Sequence, residues 1–504
     1  MGLKIFSTSQ IKKWDEATIK NEPISSIDLM ERAAKACSNW ISQRFDNSQR
    51  FKIFCGRGNN GGDGLAIARM LIKKKFPVEI YIAENEAKSS HDFATNFTRL
   101  KKATDKIYFI TSKATLPQIN KGDILIDALF GTGLNKKPAG IYNTIINYIN
   151  SSDNTVISID MPSGMYADAS SKENDIIKAA FTLSFQVQKL SFLMAENEPY
   201  IGRVKILDIG LATDFYEDQK SNFFLIGGEL IKKIYLPRKE FANKGNYGYA
   251  CLVAGSYGMI GAAVLSSRAC LRSGVGKLTC YVCKEGYEIM QTSVPEAMCK
   301  TFGKMFIKDL NDLGDFDVIG VGPGIGQHAS HKQLLGTIFK ESKKPIVIDA
   351  DGLNTLSNAH SLYKEIPENS IITPHPKEFE RLFGKTIDNF EHMHLAVSKA
   401  KELKIFIVLK GHHTLIATPN GQSYFNSTGN AGMATAGAGD VLTGIITGLL
   451  AQKYSSLDAC ILGVYLHGLA GDIAAKKLSK EAMLAGDIIN YLVEAFLQFE
   501  NASL

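Results

Sequence analysis

No stretch of this chain approaches the roughly 18 consecutive apolar residues of a membrane-crossing helix. Its opening, MGLKIFSTSQIKKWDE, lacks the apolar block of a secretory signal. Both absences point to a cytoplasmic protein without a membrane partner. Lys and Arg form no clustered tract, and a net charge of +6 is small for 504 residues. Nucleic acid is therefore not the expected partner, whereas phosphorylated small molecules are mildly favoured. Cysteine is sparse at eight residues. Cys280 and Cys283 have CxxC spacing but no second pair accompanies them, and on a strand their thiols face opposite sides, so they read as reduced core residues rather than metal ligands. Internal repeats and low-complexity tracts are also missing.

What is present is a long alternation of strand-like and helix-like segments. FKIFC, VEIYIA, DILIDALF, TVISIDM, KAAFTLSF and VKILDIG mark the first part. After Gly210 the pattern falters. A second series follows with YACLVAGS, KLTCYVC, FDVIGVGPG, KPIVIDADG, SIITPH, KIFIVLKG and HTLIATPNG. Such alternation predicts an α/β fold with a doubly wound sheet in each of two domains, here 1–220 and 221–504.

In the first domain, CGRGNNGGDG (55–64) follows a strand and opens a helix. Read loosely, Gly56, Gly58 and Gly61 form the GxGxxG of a plain dinucleotide fold, with Glu84 as its ribose acid. Asn59, Asn60 and Asp63 exceed what a pyrophosphate cradle needs, and a carboxylate beside phosphate is repelled unless a cation intervenes. DALFGTGLNKKPAG (127–140) and DMPSG (160–164) also follow strands, so a parallel sheet places all three stretches at one edge. Asp127, Asp160, Asn60 and Ser163 are hard oxygen donors suited to an alkali or alkaline-earth cation, although an aspartate at a strand end also caps turns. Backbone amides of GTGLNKK, with Lys136 and Lys137, suit phosphate.

In the second domain, NAGMATAGAGDVLTG (430–444) places a glycine-rich turn at a helix start, where successive amides stabilise a transferring phosphoryl group. Asp440 then stands where a general base is needed, or where a helix cap would be. Lys410 and Gly411 follow a strand. His375 and Glu378 lie in the TPHPKE turn, and Gly322 and Gly324 permit close backbone approach. Asp349, Asp351 and Asn354 are candidates for magnesium-bound water or ribose. Ala262 sits beside another glycine turn.

The motifs GRGNNGGDG, DALFGTGL and DMPSG resemble the N-terminal Rossmann-like domain of NAD(P)H-hydrate epimerases. GSYGMIGAA, GPGIG, DADGLN, TPHPKE, KGHHT and GNAGMATAGAGD resemble the NAD(P)H-hydrate dehydratase branch of the ribokinase-like superfamily. Together the two resemblances leave only the join at 211–240 without a motif. They imply an enzyme that binds hydrated NADH or NADPH through Asn59, Asn60, Gly61, Gly62 and Asp63, through Gly131, Thr132, Gly133, Leu134, Asn135, Lys136 and Lys137, and through Asp160. They also imply potassium on Asn60, Asp127 and Ser163. In the second domain they imply substrate contacts from Ala262, Gly322 or Gly324, His375 and Asp440. ADP or ATP, with Mg2+, is expected on Lys410, Gly411, His412, His413, Thr414 and Gly439, and a homo-oligomer is expected. Asp160 and Asp440 are the candidate catalytic residues. One departure is that Ala436 and Ala438 stand where the family more often has Gly and Ser or Thr, which removes a hydroxyl but no amide. The alternative is a ribokinase-like small-molecule kinase carrying a non-catalytic, nucleotide-sensing N-terminal domain.

Overall fold

Residues 2–84, 88–310 and 313–500 are described by the computed structural model. The chain divides into two units: one holds Lys4–Ser221 and Asp388–Phe390, and the other holds the rest. Strand β1 (Leu3–Ile5) precedes the helices Thr8–Asn21 and Ser26–Ser42. Serine capping boxes open both: Ser7 and Ser25 accept from the amides of Gln10 and Asp28, whose side chains return to the cap amides.

Seven strands follow in the first unit: β2 (Phe51–Cys55), β3 (Val78–Ala83), β4 (Ile107–Ile110), β5 (Ile124–Ala128), β6 (Thr155–Ile159), β7 (Phe181–Phe185) and β8 (Arg203–Leu207). They form a wholly parallel sheet in the order β4-β3-β2-β5-β6-β7-β8. Every residue of β2 and β5 is buried, as expected of central parallel strands covered by helices on both faces. The order reverses between β2 and β5. A crevice opens at such a reversal, at the carboxyl ends of the strands, and here it is flanked by the loops after Cys55 and Ala128.

The second unit carries β9 (Phe223–Leu225), β10 (Tyr249–Val253), β11 (Lys277–Val282), β12 (Met298–Thr301), β13 (Val318–Val321), β14 (Ile346–Ile348), β15 (Ile371–Ile372), β16 (Phe406–Leu409), β17 (Leu415–Ala417) and β18 (Ser423–Phe425). Their order is β9-β18-β17-β16-β15-β14-β13-β10-β11-β12. Strands β16 to β12 along this order run parallel, while β17 is antiparallel to both neighbours. Here the reversal lies between β10 and β13, beside the loops AGSYG and GPGIG. The α/β architecture expected for each half is therefore the one observed.

One segment departs from the sequence reading. Helix Ser456–Leu478 is long and apolar enough to cross a membrane by length and composition. Asp458, His467 and Asp472 break its apolar run and conceal it from a search for uninterrupted hydrophobic residues. Much of it is core: Ala459, Cys460, Leu462, Leu466 and Ala470 are completely buried in the cluster that also holds Val441, Ile445 and Ile446.

Candidate functional site

The first unit encloses a cavity of about 860 Å³ at the carboxyl ends of β2, β5 and β6. Asn59, Asn60, Asp63, Asp160 and the whole run Gly131–Lys137 line it. Gly61 and Gly62 do not. They belong to the first turn of helix Asn59–Lys73, where the backbone packs against Gly56 and Met30. Asp160 has a backbone φ of +65°, a conformation costly for a residue with a Cβ and one that clusters at functional sites. Its Oδ2 accepts from the Thr132 amide at 2.8 Å, and its Oδ1 lies 3.6 Å from Lys189 Nζ. Gly131 is required by this closeness, since a Cβ there would stand 2.7 Å from Asp160 Oδ2 and 3.3 Å from Asn60 Cγ.

Beneath this surface Asp127 is completely buried. Its carboxylate accepts from Ser163 Oγ (2.5 Å), the Ser163 amide (2.8 Å), Ser158 Oγ (2.7 Å) and the Leu129 amide (3.3 Å). Burial raises its pKa, and these four donors oppose the rise. Ser163 Oγ also accepts from the Phe130 amide at 2.9 Å. Both side-chain polar atoms of Asn60 are buried without a hydrogen-bond partner among the described residues. An amide left so costs about 1–3 kcal/mol unless water or a ligand completes it.

Several lining residues carry no sequence signal. Thr8, Ile11, Lys12 and Asp15 occupy one face of the N-terminal helix at helical spacing, and all of them line the cavity with Trp14. Arg57 and Lys88 add positive charge to the wall. Lys189 is almost fully buried and donates to the carbonyls of Phe185 (2.7 Å) and Val187 (3.2 Å). Burial lowers its pKa, while the Asp160 charge works the other way. Burial followed by repulsion from Asp160 and Asp15 drives Asp63 well above the usual carboxylate range.

In the second unit, Gly437 caps helix Ala438–Ala451 with φ +88° in the left-handed region, so the glycine-rich turn runs directly into the helix start. Asp440 lies in the first turn of that helix. Next to it is a charged group absent from any single motif. Lys410 Nζ lies 2.9 Å from Asp349 Oδ1 and 3.8 Å from Glu378 Oε2, while Thr443 Oγ donates to Asp349 Oδ2 at 2.6 Å. A Cβ on Gly439 would be 3.3 Å from Lys410 Nζ, which brings Lys410 and Gly439 together as the sequence suggested. Asp349 is already engaged by Lys410 and Thr443, so it holds the lysine rather than presenting free oxygens. Asp351 is likewise tied, accepting from the Gly326 amide at 2.9 Å and from Asn354 at 3.2 Å.

The remaining predicted residues fall into two groups. Ala262 approaches Gly324, whose added Cβ would be 2.9 Å from the alanine methyl, while Gly322 packs on the Asp349 carbonyl. His375 caps helix Pro376–Phe383, with Nδ1 accepting from the amides of Lys377 (3.1 Å) and Glu378 (3.3 Å). Burial, then Lys410 and Arg381, lower its pKa and favour the neutral ring. Gly411 and Thr414 close a turn on each other at 3.0 Å. His413 donates to the Asn426 carbonyl at 2.9 Å, and His412 is exposed. Asp440 is pushed up to about 7, by burial first and then by Asp349, with Lys410 opposing. For Lys410 itself burial acts downward, but Asp349 and Glu378 outweigh it and hold the ammonium charged.

Known proteins match both halves of the chain. Residues 250–494 match the family model described as NAD(P)H-hydrate dehydratase, and residues 26–191 match that described as YjeF-related protein N-terminus. The bifunctional NAD(P)H-hydrate repair enzyme Nnr of Moorella thermoacetica is 33% identical, covering 97% of this chain and 96% of its own. Its namesake from Escherichia coli is 30% identical, with 92% and 88% covered. An ADP/ATP-dependent NAD(P)H-hydrate dehydratase from Bacillus subtilis, co-crystallised with ATP/Mg2+, is 30% identical with a TM-score of 0.49, covering 55% of this chain and 98% of its own. The chain belongs to the family of bifunctional NAD(P)H-hydrate repair enzymes.

Proposed function

We propose that this protein restores hydrated NADH and NADPH, with residues 1–220 interconverting the R and S epimers and residues 221–504 dehydrating the S epimer at the expense of ADP or ATP. The observation that carries the reading is Asp440, a carboxyl held near neutrality in the first turn of a helix that begins with a glycine-rich amide turn. A hydrate carries a hydroxyl on the reduced ring, and hydroxide leaves poorly. Asp440 takes the hydroxyl proton, and the oxygen attacks the terminal phosphoryl of the nucleotide at the amide turn. Phosphate then departs from the ring carbon while the neighbouring ring carbon loses a proton to solvent, forming the C=C bond that restores the dihydropyridine. AMP or ADP and phosphate are the other products. Lys410 and Gly439 face the nucleotide phosphates, which bring Mg2+ with them, and Ala262, Gly324 and His375 meet the hydrated dinucleotide.

In the first domain the run Gly131–Lys137 and the Asn59–Asp63 turn hold the dinucleotide, and Asp160 acts at the ring carbon. One of the three residues assigned to potassium suits it directly: Asn60 Oδ1 lines the cavity as a buried acceptor without a donor among the described residues. Asp127 already accepts four hydrogen bonds and Ser163 Oγ is engaged on both sides, so these two would join a potassium site only by exchanging those bonds. Held by Asn60 with Asp127 and Ser163, the ion would supply fixed positive charge to the site. The test follows reduced-nicotinamide absorbance while the purified protein acts on mixed R and S hydrates with K+, Mg2+ and either nucleotide. Complete, nucleotide-dependent recovery is expected. A stable phosphorylated product in place of recovered absorbance would instead identify a small-molecule kinase.

A further inference from the structure

We propose that Asp15, on the N-terminal helix, is the second proton-transfer group of epimerisation, sharing the cavity with Asp160 and Lys189. The inference rests on the epimerase reading of the first domain. The helix lies outside residues 26–191, the part matched by the domain's family model, yet it supplies a wall of the cavity. It is fastened there. Trp14 Nε1 donates to the Ala212 carbonyl at 2.7 Å, the Thr8 amide donates to Asp168 Oδ2 at 2.8 Å, and the Ser7 capping box fixes its start. Asp160 is pinned by the Thr132 amide and Lys189. Asp15 by contrast makes no hydrogen bond or ion pair among the described residues, so its carboxyl is available to a ligand.

The charges around Asp15 decide its state. Burial and then the Asp160 charge push it up to about 7, Lys189 opposes them, and Glu16 adds a smaller repulsion. Asp63 is coupled to it within the same cavity, and Lys12 shares its helix face. A carboxyl poised near neutrality can give a proton to a leaving hydroxyl. Epimerisation at the hydroxyl-bearing carbon is then balanced as follows. Asp15 gives its proton to the hydroxyl, the C–O bond breaks and water leaves, and the ring nitrogen lone pair forms the C=N bond of a cation. A second water adds to the opposite face of the same carbon and returns a proton to Asp160. Exchange with solvent restores both carboxyls, so the only net change is configuration and the source of the oxygen.

The test uses the full-length protein with purified R hydrate in H2(18)O. It compares the parent with Asp15→Asn, Asp15→Glu and Asp160→Asn, and it measures dehydration of the S hydrate in each sample as the internal standard of folded enzyme. Expected for Asp15→Asn is a fall in R-to-S exchange of about 10²–10⁴, together with loss of the alkaline decline expected of the parent above about pH 7. Asp15→Glu should regain part of the rate and the decline, and each turnover of the parent should carry one solvent oxygen into the product. Exchange in Asp15→Asn within about threefold of the parent, with an unchanged pH profile, overturns the proposal. Exchange without solvent oxygen overturns the hydroxyl-departure step. A parent that dehydrates S hydrate but never converts R overturns instead the epimerase reading on which the inference stands.

Discussion

Asparagine at position 440 keeps the shape of the second site and removes its proposed base. Asp440 stands near 7 because burial and the Asp349 charge together outweigh Lys410. A base must be charged to act, so dehydration of pure S hydrate is expected to climb about tenfold per pH unit below 7 and to level off above it. Asp440→Asn should lower the plateau by about 10²–10⁴, or about 3–5 kcal/mol of barrier. Stability should move the opposite way. The carboxyl goes from an ordinary 3.8 to about 7 on folding, so the folded chain binds more protons between those values and loses stability as pH rises through them. At pH 8 the variant should therefore melt above the parent, and below pH 3 the difference should vanish. Asp349→Asn supplies a check on cause: it removes the charge that raises Asp440 most, so the limb should shift to lower pH. The assay is the initial rate of absorbance recovery at saturating ADP or ATP from pH 5.5 to 9, read beside thermal melts. A variant that keeps a tenth of the parent's plateau, or that shows the same acid limb, refutes Asp440 as the base.

The remaining expectations concern how the sites are held. Gly131→Ala drives a Cβ to within 2.7 Å of Asp160 Oδ2, and a displacement of this size should slow epimer exchange about 10²-fold, measured from R hydrate. Thr443→Val removes the 2.6 Å bond to buried Asp349 and should cost about 1–3 kcal/mol by denaturant titration. Gly437→Ala meets both a φ of +88° and a methyl carbon of Leu265 at 2.5 Å. It should cost a further 1–3 kcal/mol, roughly, by the same titration.

Sequence reasoning found the loops because their residues break a pattern. Asn59, Asn60 and Asp63 stand after a fully apolar strand end, and glycines bracket Asp440, so polar side chains and flexible backbone mark the place where strands stop and ligands begin. The N-terminal helix offers no such break. Thr8, Ile11, Lys12 and Asp15 look like the half-polar face of any surface helix, because a face turned to a water-filled cavity has the composition of one turned to bulk water. Lys189 is nearly inaccessible, but a lysine after a strand reads as solvated until the carbonyls of Phe185 and Val187 are seen around it. Thr443 is hidden for the reverse reason. It lies in an apolar helix and reads as core, and only the fold reveals that it faces Asp349 from a distant strand end. Periodicity reports which residues leave water; it does not report which polar residues meet one another there.

Asp15 and Asp440 are both held near 7, but the proposed chemistry requires opposite forms of them. Asp15 must carry a proton to release the hydroxyl, so epimerisation weakens as pH rises through 7. Asp440 must have lost its proton to activate the hydroxyl, so dehydration weakens as pH falls through 7. A molecule entering as the R epimer needs both steps, and its recovery should therefore trace a bell centred near 7. A molecule entering as the S epimer needs only the second, and its recovery should rise to a plateau. Comparing the two substrates on one preparation separates the carboxyls without any substitution. An alkaline decline that appears with S hydrate as well would belong to the second domain, and it would remove the reason for assigning that limb to Asp15.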